Sequence, residues 1–79
     1  MRVTVLYFAD LRVAAGRSEQ TLPLPDHATV RTAADHIERQ LGDRRLSGVM
    51  VAVNERYAGP QTALADGDVI AFLPPVSGG

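Results

Sequence analysis

Only one stretch of this chain has the period of a long helix. From Thr29 to Leu41 the apolar residues Val30, Ala33, Ala34, Ile37 and Leu41 recur at the spacing of one helix face. Arg31, Asp35, Glu38 and Arg39 fall on the other face, and Asp35 and Arg39 stand four apart, where opposite charges add slight support. Thr29 is placed as the N-cap and Gly42 as the residue just past the end. A 79-residue chain with one such helix must bury its apolar stripe on a sheet built from the rest of the sequence.

The rest supplies strands. Residues 2–9 alternate, with Val3, Val5 and Tyr7 pointing one way and Thr4, Leu6 and Phe8 the other. Residues 10–17 read as a connection that turns at Gly16, and residues 18–24 as a second strand. Pro23 confines that strand to a sheet edge, because it cannot donate to a ladder. Residues 43–48 read as a polar connection and 49–54 as a strand with Val49, Val51 and Val53 on one face. A turn at 54–56 leads into a short return segment at Tyr57, which Gly59 and Pro60 interrupt. Asp66, Gly67 and Asp68 make a tight turn before the last strand, 69–73. The expected fold is α+β: a mixed sheet with one main helix packed on one face. It forms one domain over residues 1–73, followed by an extended arm over 74–79.

Composition removes most conventional chemistry. The chain has no cysteine, which excludes disulfides, a Cys-ligated zinc site and a thiol nucleophile. It has no lysine for a Schiff base or a phosphate clamp. Its 8 basic residues, all arginine, face 9 acids for a net charge of −1, without the basic excess that a nucleic-acid surface needs. The first apolar run is too short to span a membrane and weak as a signal peptide, so a cytoplasmic protein is expected, with no membrane or nucleic-acid partner. His27 and His36 are not brought together by any motif, and Asp66 and Asp68 are at most a fragment of a calcium loop. Ser18, Ser47 and Ser77 lack a nucleophile elbow, and no glycine-rich phosphate loop precedes a helix. No metal or bound cofactor is expected, and the chain is not expected to be an enzyme on its own.

The ending is the exception. Six residues follow the last strand and can span roughly 20 Å when extended. Pro74 and Pro75 stiffen the base of this arm, and Gly78 and Gly79 leave its tip without side chains, so it can enter a narrow channel. The geometry suits a terminal carboxyl group presented to another protein's active site. A second feature agrees. If the helix covers Val3, Val5, Tyr7, Ile70 and Phe72, the opposite face carries Leu6, Phe8, Ala71 and Leu73. A sheet face left to water should be mostly polar, so this one reads as a partner interface at the root of the arm.

These residues resemble a known family, the small subunit of molybdopterin synthase. These are MoaD-type sulfur carriers with the ubiquitin-like β-grasp fold. The likeness runs over the whole chain: YFADLR at 7–12 with Gly16 after it, TV at 29–30, VAVN at 51–54, DGD at 66–68 and FLPPVSGG at 72–79. The resemblance implies that an adenylating enzyme related to ubiquitin activators converts the Gly79 carboxylate to an acyl adenylate, a transient AMP adduct. A sulfur donor protein then leaves a thiocarboxylate on Gly79. It implies that the large subunit of molybdopterin synthase receives the arm, Gly78 entering the channel, and passes the sulfur to cyclic pyranopterin monophosphate. The complex is expected to be a heterotetramer, with the catalytic residues on the large subunit. Phe8, Arg12, Tyr57 and Leu73 match the family's partner-contacting positions, and Pro74, Pro75, Val76 and Ser77 belong to the arm. Tyr57 stands where the family has an aliphatic residue, Leu73 where it has phenylalanine, and Ser77 where threonine is common. Three other readings remain at this level. They are a sulfur carrier for thiamin, cysteine or tRNA thiolation, a ubiquitin-like modifier attached through Gly79, and an interaction domain with an inert tail.

Overall fold

A computed structural model describes residues 1–42, 46 and 48–75 of the chain. The elements run β1 (Arg2–Tyr7), α1 (Ala9–Ala15), β2 (Glu19–Pro23), α2 (Val30–Gln40), β3 (Met50–Val53), β4 (Arg56–Tyr57) and β5 (Val69–Leu73). The strands form one sheet in the order β2-β1-β5-β3-β4. β1 and β5 pair in parallel at its centre, and the other pairs are antiparallel. This is the mixed β-grasp sheet expected from the sequence, and Pro23 lies on an edge strand as its missing N–H requires.

The alternation read in residues 2–8 sorts the faces. Val3, Val5 and Tyr7 of β1 join Ile70 and Phe72 of β5 in one buried cluster, covered by Val30, Ala33, Ala34 and Ile37 of α2. Among the described residues no polar or charged residue is buried. The helix therefore spends its whole apolar stripe on the sheet. It starts where Thr29 caps it: the Thr32 N–H donates to Thr29 Oγ1 at 3.4 Å, and the Thr29 N–H donates back to Thr32 Oγ1 at 3.1 Å. This reciprocal pair satisfies two donors that a helix end otherwise leaves open. Thr29→Ala is expected to cost about 1 kcal/mol, seen as a fall of about 4–8 °C in thermal melting.

Four details depart from the sequence reading. The expected connection at 10–17 contains helix α1, closed by Gly16 in the left-handed conformation at φ 73, and its Leu11 is fully buried. The main helix is thus not the sole cover of the core. β1 ends at Tyr7 rather than at residue 9, because the chain turns into α1 there. Asp35 pairs with Arg31, at 2.9 Å, and not with Arg39. Both arginines are four residues away, and spacing alone could not choose between them. Leu46, placed in a polar connection, is buried in the core cluster.

Tyr7 closes the far end of the core. Its hydroxyl donates to Gln20 Oε1 at 2.7 Å, and Gln40 Nε2 donates to Gln20 Oε1 at 2.7 Å, so β1, β2 and the end of α2 are tied together. Burial raises the pKa of this phenol; the Gln40 hydrogen bond and the Arg17 charge oppose the rise. The neutral phenol is thus favoured in the fold, and its contribution is intact below the unfolded value of about 10 and is lost as pH rises through the folded value. Tyr7→Phe should lose about 0.5–1.5 kcal/mol near neutrality. It should also show a shallower fall in stability above about pH 10 than wild type. Urea unfolding across that range measures both.

Candidate functional site

The face of the sheet away from α2 carries the candidate site. Leu6, Ala71, Ala52 and Tyr57 lie in one row across four strands, fixed by the pairs Leu6↔Ala71, Ala52↔Ala71 and Ala52↔Tyr57. Leu73 pairs with Met50 one step along. Together with Phe8 and Val69 these residues make an apolar face where alternation in a solvated sheet would put polar groups. A hollow of about 500 Å3 sits on it, lined by Leu6, Phe8, Ala52, Asn54, Glu55, Val69, Ala71 and Leu73. Phe8 is 44% exposed, Met50 51% and Tyr57 74%. Three large apolar side chains held open to water on one side of a small domain make a patch suited to burial against another protein.

The parallel pairing of β1 with β5 decides where the arm starts. It brings Tyr7 beside Phe72, so the chain leaves Leu73 at the end of the sheet where Phe8 also stands. Leu73 lines the hollow and is followed at once by Pro74 and Pro75, which carry no regular structure. The apolar face and the root of the arm are therefore one continuous surface.

The structure brings only some of the expected site residues together. Phe8 and Leu73 share the hollow. Tyr57 lies on the same face but at the β4 edge, outside the hollow's lining, while Arg12 is exposed on α1. Val76, Ser77, Gly78 and Gly79 lie outside the described residues. Sequence reading passed over Ala52, Val69, Asn54 and Glu55, which also line the hollow. Strand alternation could have placed Val69 and Ala52 on this face, but only the order of strands in the sheet puts them beside Leu6.

The VAVN and DGD segments turn out to serve the same surface. Asn54 and Glu55 both have positive φ, 50 and 70, and form the two-residue turn joining β3 to β4. Asn54 reaches across to the second turn: its Nδ2 donates to Asp68 Oδ1 at 2.9 Å, and the Val69 N–H donates to its Oδ1 at 3.0 Å. The other Asp68 oxygen accepts from the Ala65 N–H at 2.8 Å, and Asp66 accepts from the Arg2 N–H at 2.8 Å. Both carboxylates thus hold the start of β5 in register, and Gly67, at φ 87, permits the tight turn between them. Among the described residues no cluster of three or more His, Asp or Glu could hold a metal ion, and no helix is long and apolar enough to cross a membrane.

The whole chain has close counterparts. The sequence model of the ThiS family matches residues 5–79. A Chlamydomonas reinhardtii protein named molybdopterin synthase sulfur carrier subunit is 40% identical over the full length of both chains. Among solved structures, a protein described as subunit 1 of molybdopterin converting factor from Pyrococcus furiosus aligns with a TM-score of 0.86 and 34% identity. That alignment covers 96% of this chain and 99% of the other. SAMP1 from Haloferax volcanii aligns over both full chains with a TM-score of 0.87 and 28% identity. In a complex of subunits 1 and 2 of molybdopterin-converting factor from Helicobacter pylori, one chain matches at a TM-score of 0.71 and 25% identity, with both chains fully covered.

Proposed function

The chain belongs to the ThiS family, and from that premise we propose that it is the sulfur-carrying subunit of a molybdopterin synthase. The observation that carries this reading is the continuity of the apolar face with the root of the arm at Leu73 and Pro74. A partner resting on that face is positioned to receive whatever the arm carries.

The chemistry then belongs to one carboxylate. A carboxylate is a poor electrophile, so the Gly79 carboxyl first displaces pyrophosphate from ATP on an adenylating enzyme, giving an acyl adenylate. A donor protein's persulfide sulfur attacks the carbonyl carbon and AMP departs; a second thiol then cleaves the S–S bond of the resulting acyl disulfide, leaving a thiocarboxylate on the carrier and a disulfide on the donor. In the large subunit that sulfur is transferred to cyclic pyranopterin monophosphate, and two loaded carriers supply one dithiolene. This chain's own part is to bind and to present the arm. The proton-transferring groups are assigned to the large subunit, whose active site receives the arm. The relatives' names and the two-subunit complex above support this reading.

The test is reconstitution from the full chain, the large subunit and the pterin precursor. The carrier is first loaded as its thiocarboxylate, checked by intact mass for one oxygen-to-sulfur exchange. Dithiolene formation is the expected result. A loaded carrier that makes no dithiolene but supports thiazole or cysteine synthesis would move the protein to another sulfur pathway. The likeness to SAMP1, described in a second structure from the same organism as small archaeal modifier protein 1, gives a second reading: attachment through Gly79 to other proteins. Isopeptide-linked adducts after incubation with ATP and the activating enzyme would favour it.

A further inference from the structure

The chain has two methionines and no cysteine, so its own sulfur is confined to two thioethers. They stand in opposite surroundings. Met1 packs against the core cluster, with its side chain 7% exposed. Met50, the first residue of β3, is 51% exposed. Val51 packs against the core cluster, so alternation along β3 turns Met50 to the outer face with Ala52. There it pairs with Leu73, the residue that ends β5, lines the hollow and leads into the arm. Nothing in the strand asks for a thioether, since a β-branched or aromatic residue suits an exposed strand position better. In a chain without a thiol, an exposed thioether is the group that a dissolved peroxide oxidises most readily.

We propose that Met50 is a redox-modification site, and that its oxidation by hydrogen peroxide switches docking off. The sulfur lone pair takes one oxygen: the O–O bond breaks, an S–O bond forms, the thioether is oxidised to a sulfoxide and the peroxide is reduced to water. The product is a polar acceptor where a flexible apolar side chain stood. On the free chain water hydrates that oxygen, so the fold tolerates it at this exposure. Against a partner's apolar surface the oxygen loses its hydration beside Leu73, and an unpaired polar group there is costly. Oxidation therefore acts on the docked state and not on the fold. Methionine sulfoxide reductases reverse it: two thiols are oxidised to a disulfide, the thioether is restored and water is released. This inference rests on the function proposed above and adds a regulation of the same face.

The test uses the full chain without a thiocarboxylate, so that no sulfur on Gly79 competes for the peroxide. Peptide mapping after treatment with hydrogen peroxide should place one added oxygen on Met50 before any reaches Met1. Oxygen on Met1 first would overturn the site. Calorimetric titration against the large subunit should then show binding weakened about tenfold. The oxidised chain should melt within about 4 °C of the untreated one, as a change at an exposed position does. Incubation with the reductases for both sulfoxide epimers should restore the untreated affinity. Met50→Leu has no sulfur at this position and should bind equally before and after peroxide. Affinity within about twofold of the untreated chain, once Met50 is fully oxidised, would overturn the switch. So would a loss that persists in Met50→Leu, or one that comes with a large fall in melting temperature. An untreated chain that binds no large subunit would instead remove the function on which the switch stands, while the mapping would still decide whether Met50 is the oxidised residue.

Discussion

Removing Gly78 and Gly79 is expected to abolish sulfur transfer and to leave thermal melting unchanged. Among the described residues the buried cluster reaches no further along β5 than Phe72, and glycine has no side chain to bury. The shortened chain ends in a carboxyl group on Ser77, about 7 Å short of the Gly79 position when extended and no longer on a residue without a side chain. Extending the chain by one residue beyond Gly79 is the sharper form of this experiment. It keeps both glycines but carries the carboxylate about 3.5 Å further along. Since a displacement of about 1 Å can already cost a hundredfold in rate, the extended chain should fall by at least that factor. Intact mass after treatment with ATP, activating enzyme and sulfur donor reads the loading step, and dithiolene formation reads the transfer. Full activity in either variant would show that the terminal carboxyl is not the carrier group.

Phe72→Ala should have the largest effect on the fold. Phe72 is fully buried at the centre of the sheet, beside Tyr7 on one side and Val51 on the other. Truncating a buried phenylalanine costs about 3–5 kcal/mol. A chain of this length has about 4–12 kcal/mol of stability in total. The variant should therefore be largely unfolded at 37 °C or lose most of its urea resistance, and docking would fail with it. A variant that kept a wild-type urea midpoint would mean that the core relaxes around the vacancy far more than a close-packed interior allows.

Several elements were legible in the sequence because they are set by local periodicity. Val69 to Leu73 is a short apolar run that follows a turn needing Gly67 and ends at Pro74; the strand has those bounds in the structure. The main helix was legible because Thr29 caps it and its apolar residues share one face. Helix α1 was not, because it has only seven residues and buries only Leu11. Phe8 gives it no side-chain cap, and Val13 is 80% exposed, so no periodic stripe marks it. The signals present were the helix-favouring Ala14 and Ala15 and the closing Gly16.

The sequence by itself determined that one face of the sheet is core and that the other is also apolar, since alternation in a strand assigns each side chain to a face. It also determined that the chain has no thiol or lysine amine, so that any sulfur it carries must be held elsewhere than on a cysteine. Only the tertiary structure decided that Leu6, Ala71 and Ala52 adjoin, and that Glu55 stands at the rim of the hollow they share. The reason is the parallel pairing of β1 with β5. These strands are joined by more than sixty residues of chain, and no local pattern encodes which distant strand will lie beside which. That pairing also brings Leu73, the last residue of β5, out beside Phe8 on the apolar face.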